Sequence, residues 1–208
     1  MNFLQVWHSE NNKKPPKKLL ACMDSVLSVL KSEDTYTLIS DKNYLPPSIT
    51  FISYQEYITV MRYNETIRKF LDILNQLEYK TKQCTISDAI RFHYASNNKN
   101  VLYCDCDVEL KKPLELDPSK FYMAVNSNHR TTIDSFIMYN STNTELPRLI
   151  LDQAISQFFR SYERNKEIGS LETKAWCWQI FNSYQIRKQI NKINSDKYEH
   201  LENTKYER

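Results

Sequence analysis

The sequence predicts an α/β domain built on a mainly parallel sheet. Short apolar runs that read as strands alternate with stretches of helical spacing from Phe3 to Asp107, the order that gives parallel strands joined by crossover helices. The length of 208 residues suits one domain with a small extension. Hydrophobic residues make up 41% and charged residues 25%, so there is apolar material for a packed core and no excess of charge to keep the chain unfolded.

The elements follow in order. Phe3 to Trp7 is a first strand. Lys17 to Leu30 is a helix, with Leu19, Leu20, Met23, Val26, Leu27 and Leu30 at helical spacing. Thr35 to Ser40 is a second strand, Asp41 to Ser48 a loop carrying Pro46 and Pro47, and Thr50 to Ser53 a short third strand. Thr66 to Tyr79 is a helix with Ile67, Phe70, Leu71, Leu74 and Leu77 on one side. Another helix opens at Thr85, with Thr85 or Ser87 as its cap and Asp88 in its first turn, and breaks at Asn97 to Asn100. Val101 to Cys104 is a strand that runs into Asp105-Cys106-Asp107. Phe121 to Val125 and Ile133 to Tyr139 are further strands. Pro147 begins a helix to about Tyr162, Gly169 breaks the chain, and Leu171 to Ile193 is helical with Trp176, Ile180, Ile186 and Ile190 inside. The domain is expected to span residues 1–193, with 194–208 a polar tail that folds over a ligand.

Composition excludes several functions. The net charge is +3, too mild for a nucleic-acid binder; the cluster Lys13, Lys14, Lys17 and Lys18 around two prolines reads as a solvated loop. The mean hydropathy of −0.62 predicts no membrane span. The apolar stretch at the N-terminus is short and precedes the basic residues, unlike a signal peptide, and a cytoplasmic location is the expectation. Five scattered cysteines fit free thiols in a reducing compartment. Cys104 and Cys106 have no second close Cys/His pair, so structural zinc is not expected. With a single glycine, Gly169, the chain has neither a Walker loop nor a dinucleotide fingerprint. A bound phosphate must be held by something other than a glycine loop.

Ligands of parallel sheets bind outside the carboxyl ends of strands, and Trp7, Asp41 and Asp105 all fall there. In Asp105-Cys106-Asp107 the alternation of a strand sends both carboxylates one way and Cys104 and Cys106 the other, into the core. Two adjacent carboxylates repel unless a cation joins them, and oxygen ligands select Mg²⁺ or Mn²⁺, which also bridge to phosphates. Read alone, the same three residues are an exposed acidic turn.

The stretch SDAIRFHYASNNKNVLYCDCDV, residues 87–108, resembles the sugar-nucleotide-binding region of GT-A-fold glycosyltransferases. It is closest to the group with the glucosylating bacterial toxins and the yeast-type initiating mannosyltransferases. Their pattern is S-D-x-x-R, a helix, two glycines, then a strand ending in D-x-D. Ser87, Asp88, Arg91, Asp105 and Asp107 match it, while Lys99 and Asn100 stand near the two glycines. FLQVWHSENNKKPPKKL resembles the family's opening strand, with Trp7 as the residue stacked on the base. Asp41 fits a loop near the nucleotide, IDSFIMYN a strand lining the sugar pocket through Asp134 and Ser135, and LDQAISQFF a helix carrying Asp152 and Gln153. His200 and Lys205 echo a histidine completing the metal shell and a lysine on the diphosphate.

The resemblance implies a single mixed, Rossmann-like sheet flanked by helices. It also implies transfer of a hexose from a nucleotide-diphosphate sugar, UDP-sugar favoured, to a glycan or protein acceptor. Mn²⁺ or Mg²⁺ would sit on Asp105, Asp107 and His200. Trp7, Asp41, Ser87, Asp88, Arg91, Asp105, Ser135 and Lys205 would bind the donor, and Asp134, Asp152 and Gln153 would act near the anomeric carbon. Retention is favoured, and a partner domain or subunit would supply acceptor binding. Two other readings stand beside it: a metal-dependent phosphoryl-transfer enzyme, and a non-catalytic nucleotide-sugar-binding module. Several of these residues also have plain structural uses. Trp7 can be core, Asp88 a helix cap, Arg91 its i,i+3 partner, and Asp152 a carboxylate favoured early in a helix. His93 reads as structural, and His8 and His129 have no assigned role.

Overall fold

The computed structural model describes residues 1–9, 13–77, 82–125, 133–169, 181 and 198–202. In chain order these form β1 (Asn2–Trp7), α1 (Lys17–Val29), β2 (Thr35–Ser40), β3 (Thr50–Ser53), α2 (Tyr54–Met61), α3 (Glu65–Gln76), α4 (Lys82–Asn97), β4 (Val101–Cys104), β5 (Phe121–Val125), β6 (Ile133–Tyr139), α5 (Glu145–Glu167) and β7 (Tyr198–Glu202). The described strands make one sheet in the order β3-β2-β1-β4-β6-β5-β7. The half from β3 to β4 is parallel. Strand β6 runs antiparallel to both β4 and β5, and β7 lies parallel to β5. The sheet is therefore mixed.

Helices cover both faces. On one side α2 to α5 bury Met61, Phe70, Leu71, Leu74, Ile90, Phe92, Ala95, Ile150 and Phe158 against Leu4, Val6, Ile39, Val101, Tyr103 and Met138. On the other, Met23, Val26 and Val29 of α1 and the 106–110 segment cover Phe3, Leu38, Leu102, Cys104 and Ile137. Successive residues of β1 and β4 thus serve opposite layers, as a pleated strand buried on both faces requires. Each fully buried Leu or Phe contributes about 2 kcal/mol.

Several boundaries differ from the sequence reading, each for a local reason. Helix α2 was not expected. Its N-cap is Ser53, whose side chain accepts from Glu56 N while Glu56 reaches back to Ser53 N, a capping box. Helix α4 already runs from Lys82, so Thr85 and Ser87 are interior and Asp88 is not in the first turn. The capping explanation of Asp88 falls away. Helix α5 starts at Glu145, where Asn143 Oδ1 accepts from Glu145 N and Leu146 N at 3.1 Å each. Pro147 is then in the first turn, where its missing N–H costs nothing. Asp152 is the eighth helical residue and lies past the reach of the helix dipole. The helix ends two residues before Gly169, which takes φ +64°. Tyr198–Glu202 of the polar tail form strand β7. Apart from Phe181, the expected helix from Leu171 to Ile193, with its Trp176, lies outside the described residues, as do His129 and Lys205.

The turn into β4 lacks the glycines of the family pattern. Asn100 adopts φ +55° there, a conformation asparagine tolerates better than most side chains. Asn140 holds the turn from β6: fully buried, it donates to Ala95 O at 2.6 Å and Asn98 O at 2.7 Å, and accepts from Val101 N at 2.8 Å.

His93 is structural, as read. Its Nδ1 faces Tyr57 Oη at 3.0 Å, and burial holds the imidazole below its usual pKa. Burial also pushes the Tyr57 phenol up, so Tyr57 donates to a neutral ring. The unfolded chain therefore binds more protons than the folded one as pH falls through about 6.5, and acid costs stability from there down to the lower folded value. The His93 ring should titrate below the usual imidazole range by NMR, and His93→Asn should flatten the loss of stability between about pH 7 and 5. An ordinary titration would exclude this account.

Candidate functional site

Parallel pairing puts Trp7, Ser40, Ser53 and Cys104, the last residues of β1 to β4, on one edge of the sheet. The chain moves from β1 to β2 on one side, while β4 joins β1 on the other. The crevice outside β1 and β4 is thus the topological switch point, where open α/β sheets bind ligands.

At this crevice helix α4 meets the end of β4 through Arg91. One terminal nitrogen of Arg91 lies 2.5 Å from Asp88 Oδ1 and 3.1 Å from Asp105 Oδ1. The Arg91 side chain is 7% exposed, against 19% for Asp88 and 26% for Asp105. Its guanidinium carbon stands 4.2 Å from the centroid of the Tyr103 ring, a cation–π contact. Tyr103 donates to Asp105 Oδ1 at 2.6 Å, and burial holds its phenol well above the usual pKa, so it remains a donor. Arg91 is therefore more than an i,i+3 partner. It ties the S-D-x-x-R helix to the D-x-D segment from a buried position.

Strand β4 ends at Cys104, and Asp105 to Val108 form a turn closed by Val108 N donating to Asp105 O at 3.1 Å. The strand alternation expected for the two carboxylates thus stops at the turn. The cysteines do face the core: Cys104 is fully buried and Cys106 nearly so, and Cys106 Sγ donates to Val6 O at 3.2 Å. Burial pushes the Cys104 thiol up to about 12. Asp105 is half-buried and Asp107 exposed. Asp88, Asp105 and Asp107 against Arg91 leave these four groups a formal charge of −2. That charge and all-oxygen donor set fit a hard divalent cation, which takes one or two carboxylates and completes its shell with water and substrate phosphates. Among the described residues no group of three His, Cys, Asp or Glu converges to hold a metal by itself.

Across the crevice Asp41 grips the chain leaving β1. Its Oδ1 lies 2.5 Å from His8 Nδ1, and its Oδ2 accepts from Ser9 N at 3.0 Å. The His8 ring stacks on Tyr54 at 3.7 Å and 2°. Both lie on the wall of a cavity of about 300 Å³, with Gln55, Arg62, Asn75 and Gln83 among its polar lining. Gln83 Oε1 is buried with no hydrogen-bond partner among the described residues. Trp7 is half-buried against the α1-side core, its Nε1 likewise buried and unpartnered among those residues.

The remaining candidates are placed as follows. Ser87 is half-buried beside Asp88. Asp134 and Ser135 lie in β6, which pairs Ile137 with Cys104; counting back, they extend past the end of β4 on the edge that carries the Asp105 turn. Asp152 is exposed and Gln153 half-buried on α5, and no hydrogen bond joins them to the Arg91 cluster among the described residues. His200 is opposite Met123, and through Met138 level with Tyr103. Its backbone is thus three strands from β4, about 14 Å at ordinary strand spacing. Sequence reasoning missed His8, Tyr103 and Gln5 (the last described below). The signal for His8 was its place beside Asp41: both follow adjacent parallel strands.

No family model matches the chain, and no curated protein matches it. Solved structures share its fold. The PaToxG glycosyltransferase aligns at 13% identity and TM-score 0.64, over 92% of this chain and 68% of that one. A transferase mutant aligns at 10% and 0.57, over 91% and 84%. Mouse xyloside xylosyltransferase 1, in its apo form, aligns at 10% and 0.53, over 98% and 86%. The single mixed sheet with helices on both faces is thus the fold of solved glycosyltransferases. Among the described residues, no helix is long and apolar enough to cross a membrane.

Proposed function

We propose that the chain is a glycosyltransferase that moves a hexose from a nucleotide-diphosphate sugar, UDP-sugar favoured, to a glycan or protein acceptor, with retention. The observation that carries this reading is the Asp88–Arg91–Asp105 bridge, which joins two sequence motifs at the ligand edge of a sheet whose fold glycosyltransferases share. Asp107, exposed, and Asp105, partly engaged by Tyr103 and Arg91, would hold Mn²⁺ or Mg²⁺. When bound, the cation would offset charge on the leaving diphosphate. Arg91 orients Asp105, and Asp88 would contact sugar hydroxyls. Asp41 and Tyr54 fix His8 at the wall of the 300 Å³ cavity, which takes part of the donor. Asp134 and Ser135 lie on β6 at the same edge of the sheet and would line the sugar pocket. The diphosphate leaves with the electrons of the C1–O bond as the acceptor oxygen binds C1 on the same face and passes its proton to an oxygen of the leaving diphosphate.

The test is thermal stability against UDP, GDP, CDP and dTDP sugars, with and without Mn²⁺. A donor at a hundred times its Kd stabilises by about 2.7 kcal/mol, or roughly 5–10 °C at this size. The expected result is a shift for UDP-sugars that needs Mn²⁺. Silence across the whole panel would refute the donor site.

A further inference from the structure

A glutamine is buried without exposure in β1, a strand paired on both edges. Gln5 lies between β2 and β4, pairs with Leu38 of β2, and meets Tyr36 and Cys104 with its side chain. A buried amide is costly unless hydrogen-bonded, and Gln5 uses both ends. Its Nε2 donates to Asp105 O at 3.2 Å and, more weakly, to Cys104 Sγ at 3.4 Å. Its Oε1 accepts from Tyr36 Oη. Tyr36 is itself 3% exposed, and burial raises its phenol pKa, so it remains the donor and leaves the amide one orientation. The carbonyl that Gln5 holds is the one that accepts from Val108 N and closes the turn. The thiol of Cys106 anchors the same turn to Val6 O.

We propose that Gln5 is a positioning residue for the Asp105–Asp107 turn: its amide, oriented by Tyr36, fixes the turn's backbone so that the two carboxylates are presented without further ordering. The inference rests on the reading of that turn as the donor and cation site. An apolar side chain would fill this place at no desolvation cost. The amide contributes an anchor on a carbonyl that the β1–β4 ladder does not reach.

Two readouts separate the proposal from its premise. The first is backbone amide exchange at Val108, compared with Leu4 and Val6, in wild type, Gln5→Met and Tyr36→Phe. The second is Mn²⁺ affinity by electron paramagnetic resonance in the presence of UDP. Gln5→Met should speed exchange at Val108 on the order of tenfold while β1 is unchanged, and weaken Mn²⁺ binding on the order of tenfold, the usual cost of losing an outer-shell partner. Tyr36→Phe should move both in the same direction by less. It decides the matter alone if Gln5→Met does not fold. Unchanged Val108 exchange in folded variants overturns the proposal, as does an equal rise throughout β1, which is general loosening. A wild type that binds no Mn²⁺ overturns the donor-site reading instead, with exchange still judging Gln5.

Discussion

Asp107→Ala is expected to remove metal-dependent transfer while the protein melts within about 2 °C of wild type. The two halves have one cause. Asp107 is exposed on a turn, and surface substitutions away from special features usually change stability by less than about 0.5 kcal/mol. The carboxylate therefore serves no packing role that its loss could disturb. If it carries the cation, its removal forfeits the charge stabilisation a metal gives a leaving diphosphate, several kcal/mol. Roughly 3 kcal/mol corresponds to on the order of a hundredfold in rate. Transfer measured at saturating Mn²⁺ checks it, and the Mn²⁺-dependent donor shift should vanish in the same variant. Wild-type turnover in Asp107→Ala would remove the turn from the mechanism.

Arg91→Ala should do the reverse and damage both fold and site. Arg91 is 7% exposed and faces two carboxylates that are themselves mostly covered. Truncation leaves Asp88 and Asp105 repelling across a hole, and removes the cation over Tyr103. Breaking one side of a buried ion pair costs about 3 kcal/mol or more, which at this size lowers Tm by roughly 6–12 °C. Arg91→Lys keeps the charge and loses the planar fork, so its Tm should fall between the two. Thermal melts of the three proteins decide this. A melting point for Arg91→Ala within about 2 °C of wild type would mean the bridge is solvent-screened and carries little.

The fold was legible because burial on both faces writes a strong pattern. β2, β3, β4, β5 and β6 fall where apolar runs end at polar residues, and the helices follow their apolar spacing to within a few residues. Helix α2 was missed although Ser53 and Glu56 carry a capping signature, because β3 and α2 share Ser53 and no loop separates them. The start of α4 was placed late for a related reason: Thr85 and Ser87 are good caps locally, yet the helix continues N-terminally to Lys82. Local preference is weak evidence against tertiary packing.

For the site, the division follows the range of the forces. The sequence by itself determined the class of the domain and which strand ends share one edge, because periodicity is local, and its resemblance to a family pattern singled out Asp88, Arg91, Asp105 and Asp107. Only the tertiary structure decided what those residues hold. Arg91 meets Asp105 14 positions later through helix–strand packing, and His8 meets Asp41 33 positions away because β1 and β2 are parallel neighbours. Gln5 reaches the carbonyl of Asp105 100 positions on because β1 lies beside β4. No spacing rule encodes such pairs; they exist only once the strands are side by side.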